Sequence, residues 1–139
     1  MATRNTKAST IVLSVCYVKR SKEDLLSLIE AQIVKGQNIL NQYPPVFADP
    51  YGRQLISDQD ADKFYAEHSA WKEYCEEVYT SSFSDPNTKY LKQFQDAGTF
   101  WGIITDGKGQ AYLDTRSLFQ DEINALESFK QRLDLIFPM

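Results

Sequence analysis

The sequence predicts a mainly helical single domain: a four-helix, antiparallel, bundle-like fold with a small β-hairpin, an α+β arrangement being the alternative. Three observations lead there. Apolar residues recur at three- and four-residue steps in segments opening at Ser21, at Ser57 and at Asp114 or Thr115. Two of these segments begin with a serine followed by acids, the pattern of a capped helix N-terminus. With 139 residues, 42% of them hydrophobic and 13% aromatic, the chain can fill one core and is too short for two domains.

Residues 1–9 are polar and read as a frayed end. The apolar run Ser9–Tyr17 follows Arg4 and Lys7 and is followed at once by Lys19, Arg20 and Lys22. A secretory signal needs a longer apolar run and a small-residue cleavage site. Val15 stands before Cys16, where a lipoprotein-type cleavage would want a small residue. The run therefore reads as a buried strand or short core segment. All charged side chains over residues 1–22 are basic and all acids lie beyond, which describes a solvated N-terminal arm.

Ser21-Lys22-Glu23-Asp24 caps the first helix, with acids placed at the positive end of the helix dipole. Leu25, Leu26, Ile29, Ile33, Gly36, Ile39 and Leu40 mark its inner stripe. Gly36 costs about 1 kcal/mol relative to alanine, a cost accepted where another helix or an aromatic ring comes close. Pro44-Pro45 ends the helix. A loop with Pro50 and Gly52 follows, pinned to the core by Phe47.

Ser57-Asp58-Gln59-Asp60 opens the second helix. Phe64, His68, Trp71, Cys75 and Val78 then fall on one face, flanked by Tyr65, Tyr74 and Tyr79. Asp85-Pro86 reads as a cap plus a proline in the first turn of a short third helix carrying Tyr90, Leu91 and Phe94 and stopping at Gly98. Thr99–Thr105 and Gln110–Leu113 flank Asp106-Gly107-Lys108-Gly109, which reads as a β-hairpin. Residues 10–18 are a candidate third strand for it, and an ordered loop packed on the helices is the rival assignment. The last helix starts at Asp114 or Thr115, with Leu118, Phe119, Ile123, Leu126, Phe129, Leu133 and Ile136 facing inward, and Pro138 closes it.

Composition excludes several function classes. Lys+Arg 15 against Asp+Glu 19 gives a net charge of −4, the wrong sign for a non-specific nucleic-acid footprint. No stretch approaches the ~18 apolar residues of a membrane-spanning helix. Two cysteines and one histidine cannot build a four-ligand zinc site by themselves. Asp58, Asp60 and Asp62 have the spacing that opens a calcium loop, but Lys63 and Ser69 stand where its glycine and closing glutamate belong. Gly107 and Gly109 lack the third glycine and the lysine-serine of a phosphate loop. Cys16 and Cys75 are distant and have no CxxC spacing, so they read as two reduced core thiols in a cytoplasmic protein.

His68 is the one histidine, so any histidine chemistry must run through it. Cys75 lies seven residues further on, about 10 Å along a helix, too far for direct proton transfer. No catalytic set, cofactor or metal is expected. What stands out is the ring content. Trp71, Tyr74, Phe100, Trp101 and Tyr112 are the candidate binding residues, as an aromatic pocket or a partner-facing patch, with His68 as a possible polar member.

Leu25-x-x-Leu28-Ile29 with Gly36 and Ile39-Leu40, Trp71-Lys72-Glu73-Tyr74 running into Val78, Phe83-Ser84-Asp85 with Tyr90 and Phe94, and Leu126-x-x-Phe129-x-x-x-Leu133 occur in that order over about residues 21–136. In this order of signals the chain resembles a helical domain of bacterial anti-phage and nucleotide-signalling proteins, often joined to TIR-like or other effector domains. Members tend to place glycine where Ser84 stands, and the apolar run 10–17 and the segment 99–113 also depart from the pattern. The resemblance implies an accessory helical module and carries over no catalytic residues. The expected function is a non-enzymatic protein-interaction or sensing module that binds a protein partner or a second copy. The alternative is a nucleotide- or small-molecule-binding domain, or an enzyme, with a tryptophan stacked on the base.

Overall fold

Two serine caps start the longest antiparallel pair. The computed structural model describes residues 18–85, 88–99 and 107–137. Ser21 accepts the Asp24 N–H at 3.1 Å at the head of α1 (Lys22–Asn41), and Ser57 accepts the Asp60 N–H at 3.0 Å at the head of α2 (Asp58–Ser82). Each cap satisfies one of the donors that a helix start leaves without an intrahelical partner. The short α3 (Lys89–Ala97) follows, then α4 (Lys108–Gln131) and a terminal turn, α5 (Leu133–Ile136).

Side-chain contacts give the helix directions. Arg20 donates to Ser82 at one end of the α1–α2 pair, and Tyr43 donates to Glu67 at the other, so these helices are antiparallel. Lys130 pairs with Glu30, and Arg116 donates to the Leu40 carbonyl at 3.0 Å, so α4 also runs against α1. Phe94 of α3 meets Trp71 and Tyr79, and Tyr90 meets Phe129. The result is an up-down-up-down bundle in which α2 and α4 are parallel across the diagonal.

The core is aromatic. Phe64 touches Tyr43, Tyr65, Tyr112 and Phe119, while Trp71 lies among His68, Phe94 and Phe119. The indole explains Gly36. A Cβ there would sit 3.0 Å from Trp71 Cε2 and 3.1 Å from Ile123 Cγ1, so glycine lets α1, α2 and α4 close on one ring. Phe47 pins the α1–α2 loop as expected, with its ring against Tyr112 and close to Gly109. Beyond it, the Asp49 carboxylate accepts the backbone N–H groups of Tyr51 and Arg53 and the Arg53 guanidinium, around a Gly52 at φ 84°. These three donors hold Asp49 below the usual carboxylate range.

Three expectations are corrected. The second hairpin arm, Gln110–Leu113, is the opening of α4, and the described residues contain isolated bridges but no sheet. Tyr112 lies seven residues before Phe119 and fourteen before Leu126, which extends the helical stripe backwards and outweighs the strand propensity of Tyr112 and Leu113. The first arm falls on residues 100–106, outside the described ones. Thr88, not Asp85, caps α3, with Pro86 again outside. The last helix breaks at Arg132 before α5. Of the candidate third strand only Val18 is described, and it bridges Phe83.

Candidate functional site

Helix α2 carries the predicted polar residue inward. His68 Nε2 donates to Glu122 Oε1 of α4 at 2.5 Å, while Lys72 Nζ approaches the other carboxylate oxygen at 3.4 Å. Glu122 is fully buried, and the His68 side chain is 14% exposed. A carboxylate so enclosed needs a countercharge and a hydrogen bond, and one face of α2 supplies both. Lys72 lies one turn beyond His68, so the two approach the carboxylate from one helix face, but Oε2 has only the ion pair and no hydrogen-bond partner. Gly98, at the end of α3, covers the carboxylate. A Cβ there would lie 2.8 Å from Glu122 Cδ and nearer still to Oε2.

Glu122 is the residue that sequence reasoning missed. The signal was available: an acid between Phe119, Ile123 and Leu126 stands inside an apolar stripe. The nearest nucleophile candidate to Glu122, Cys75, is buried, and burial together with the Glu122 charge pushes the thiol well above its ordinary range. It therefore stays protonated and unreactive near neutral pH. No group of three or more His, Cys, Asp or Glu that could hold a metal ion occurs among the described residues. The His68–Glu122–Lys72 network thus ties α2, α3 and α4 together.

The predicted rings separate. Trp71 is buried, its indole N–H donating to the Gln32 carbonyl at 2.9 Å and its faces taken up by Phe94, Phe119 and His68. Tyr112 is also buried, its hydroxyl donating to the Pro44 carbonyl at 2.6 Å. Because α4 starts at Lys108, Tyr112 turns inward with Phe119, and it does not join a surface patch. Tyr74 is 46% exposed. Phe100 and Trp101 lie outside the described residues.

Trp71 and Tyr74 do share a groove. It runs between α1 and α2, has a volume of about 1020 Å³, and has the buried Trp71 behind its wall. Ala31 and Ala70 line it from the two helices, and their small side chains leave the depression between Val34, 58% exposed, and Tyr74. Glu30, Lys35 and Glu67 add two acids and one base. Glu67 also holds the Tyr43 hydroxyl, whose pKa burial and that hydrogen bond push up to about 12. A mostly apolar groove with mixed charge suits a side chain or helix face of another protein.

Among the described residues, no helix is long and apolar enough to cross a membrane. Protein-family models, curated proteins and solved structures offer no match to this chain.

Proposed function

We propose that the chain is a non-enzymatic protein-interaction module that works through the α1–α2 face, as an accessory domain of a bacterial cytoplasmic system. The observation that carries this reading is the groove: Val34 and Tyr74 are exposed apolar side chains on either side of it, with Ala31 and Ala70 also lining it. Isolated exposed apolar residues need no explanation, but apolar side chains flanking one concave groove mark where a partner's side chain can be buried. The burial of the Glu122 carboxylate and the protonated Cys75 favour binding over turnover. The resemblance to accessory domains of anti-phage and nucleotide-signalling proteins supports the same role.

The test is site-specific photo-crosslinking in the host cell from a benzophenone residue at position 74, with exposed Asp62, outside the groove, as the control position. A defined protein adduct from position 74 that is absent from position 62 is expected. Equal labelling from both positions, or none, would sink the proposal.

A further inference from the structure

We propose that the last turn of α3, residues 95–99, is a lid: it lifts while the rest of the chain stays folded and lets water reach the Glu122 carboxylate beneath it. This is independent of the α1–α2 groove. Leu91 and Phe94 are the buried side chains of α3, and beyond Phe94 none of residues 95–99 is buried. The hydrogen bonds of that turn are mostly its own. The Gly98 N–H donates to the Gln95 carbonyl at 3.1 Å, and the Thr99 N–H donates to the Asp96 carbonyl at 3.1 Å. The Thr99 hydroxyl donates to the Gln95 carbonyl at 2.9 Å. Among the described residues, the hydrogen bond that ties the turn to another helix is an exposed one, from Gln95 Nε2 to Glu76 of α2 at 3.2 Å.

What the turn covers works against its closure. The Gly98 backbone rests on Glu122, and a Cβ there would meet Oε2 first. Oε2 is buried without a hydrogen-bond partner, and Lys72 Nζ at 3.4 Å gives it charge alone. The Gly98 and Thr99 N–H groups cannot serve it, because both are engaged by carbonyls of α3. A buried carboxylate oxygen left in this way bears its desolvation cost uncompensated, and water would remove that cost. Segments with few buried contacts are the ones that open locally, and this turn has its last buried anchor at Phe94, which makes that residue the hinge. The closed form remains the major one, because lifting gives up the Gln95–Glu76 bond and the packing of Gly98. In the open form Oε2 is hydrated, and the carboxylate becomes reachable together with the imidazole of His68 and the ammonium of Lys72 that flank it.

Carboxyl labelling of the full folded chain tests the lid, with a water-soluble carbodiimide, glycine ethyl ester and peptide mapping by mass spectrometry. Urea is held below the unfolding transition, and circular dichroism confirms that each variant folds. Glu122 is expected to be amidated, by the added amine or by Lys72, more slowly than exposed Glu127 and at a rate indifferent to low urea. Gln95→Ala cuts the tie to Glu76 without touching the carboxylate, and should raise that rate about threefold. Amide hydrogen exchange at Thr99 should rise by the same factor, because one opening serves both. Gly98→Ala strains the closed form and should raise both rates as well. Labelling of Glu122 that appears only as urea unfolds the whole chain overturns the lid. Faster exchange at Thr99 without faster labelling of Glu122 overturns it too, since the turn would then move without uncovering the carboxylate. Two variants that leave both rates at the wild-type value do the same.

Discussion

At the scale of single residues, the structure turns on a buried carboxylate. Glu122 is enclosed by Gly98 and held by His68 and Lys72, so both the cover and the partners should be sensitive to substitution. Gly98→Ala drives a methyl group into the carboxyl, with the helix end and the tilted contact of His68 with Phe119 resisting movement. Overpacking of this kind costs about 1–3 kcal/mol, and urea unfolding followed by tryptophan fluorescence should return a value in that range. Glu122→Ala removes the acceptor and leaves the enclosed His68 Nε2–H without a partner. Breaking a buried pair costs about 3–5 kcal/mol. Lys72 is a third exposed and can turn its ammonium to water, which places the loss at the low end. Glu122→Gln keeps the shape and one acceptor, and should recover part of it. A Glu122→Ala variant as stable as wild type would show that the network contributes nothing to the fold.

At the scale of elements, the helix starts were the most legible part. Ser21 and Ser57 cap as their acids three residues on imply, and their local chemistry needs no tertiary information. Replacing either by alanine should cost about 1 kcal/mol. The two caps lie at opposite ends of an antiparallel pair, so the double variant should lose the sum within a few tenths of a kcal/mol; thermal unfolding reads both. The inner stripes and the close approach at Gly36 were legible too, because a 3.6-residue period is a local signal. The start of α4 was not. Aromatic and β-branched residues around Asp106-Gly107 satisfy a hairpin as well as a helix start, and the Tyr112–Phe119 spacing decides only once the helix is known to begin at Lys108. The candidate site was legible in part. Trp71 and Tyr74 could be selected as rings, but that one stands behind the groove wall and the other rims it depends on how closely α1 approaches, which no single helix encodes.

At the scale of the whole molecule, the buried tyrosines and the thiol predict how the fold fails in alkali. Burial raises Tyr43 to about 12 and moves Tyr79 and Cys75 in the same direction. Each of these groups is neutral when protonated. In the unfolded chain a thiol loses its proton near pH 8.5 and a tyrosine near pH 10, whereas the folded chain retains it to higher pH. Over that interval the native state binds more protons than the unfolded one, so stability falls as pH rises. The decline begins with Cys75 above its unfolded pKa, and the tyrosines join from about pH 10, with the Tyr43 share complete by about pH 12. Tyr43→Phe loses the hydrogen bond to Glu67 and starts from a lower stability at neutral pH, yet it has no hydroxyl to ionise. Its urea midpoint should therefore fall less steeply than that of wild type between about pH 10 and pH 12, each variant being referred to its own neutral value. Parallel curves for the two proteins would mean that Tyr43 titrates alike in the folded and unfolded chain, and that its burial against Phe64 and Glu67 does not hold the proton.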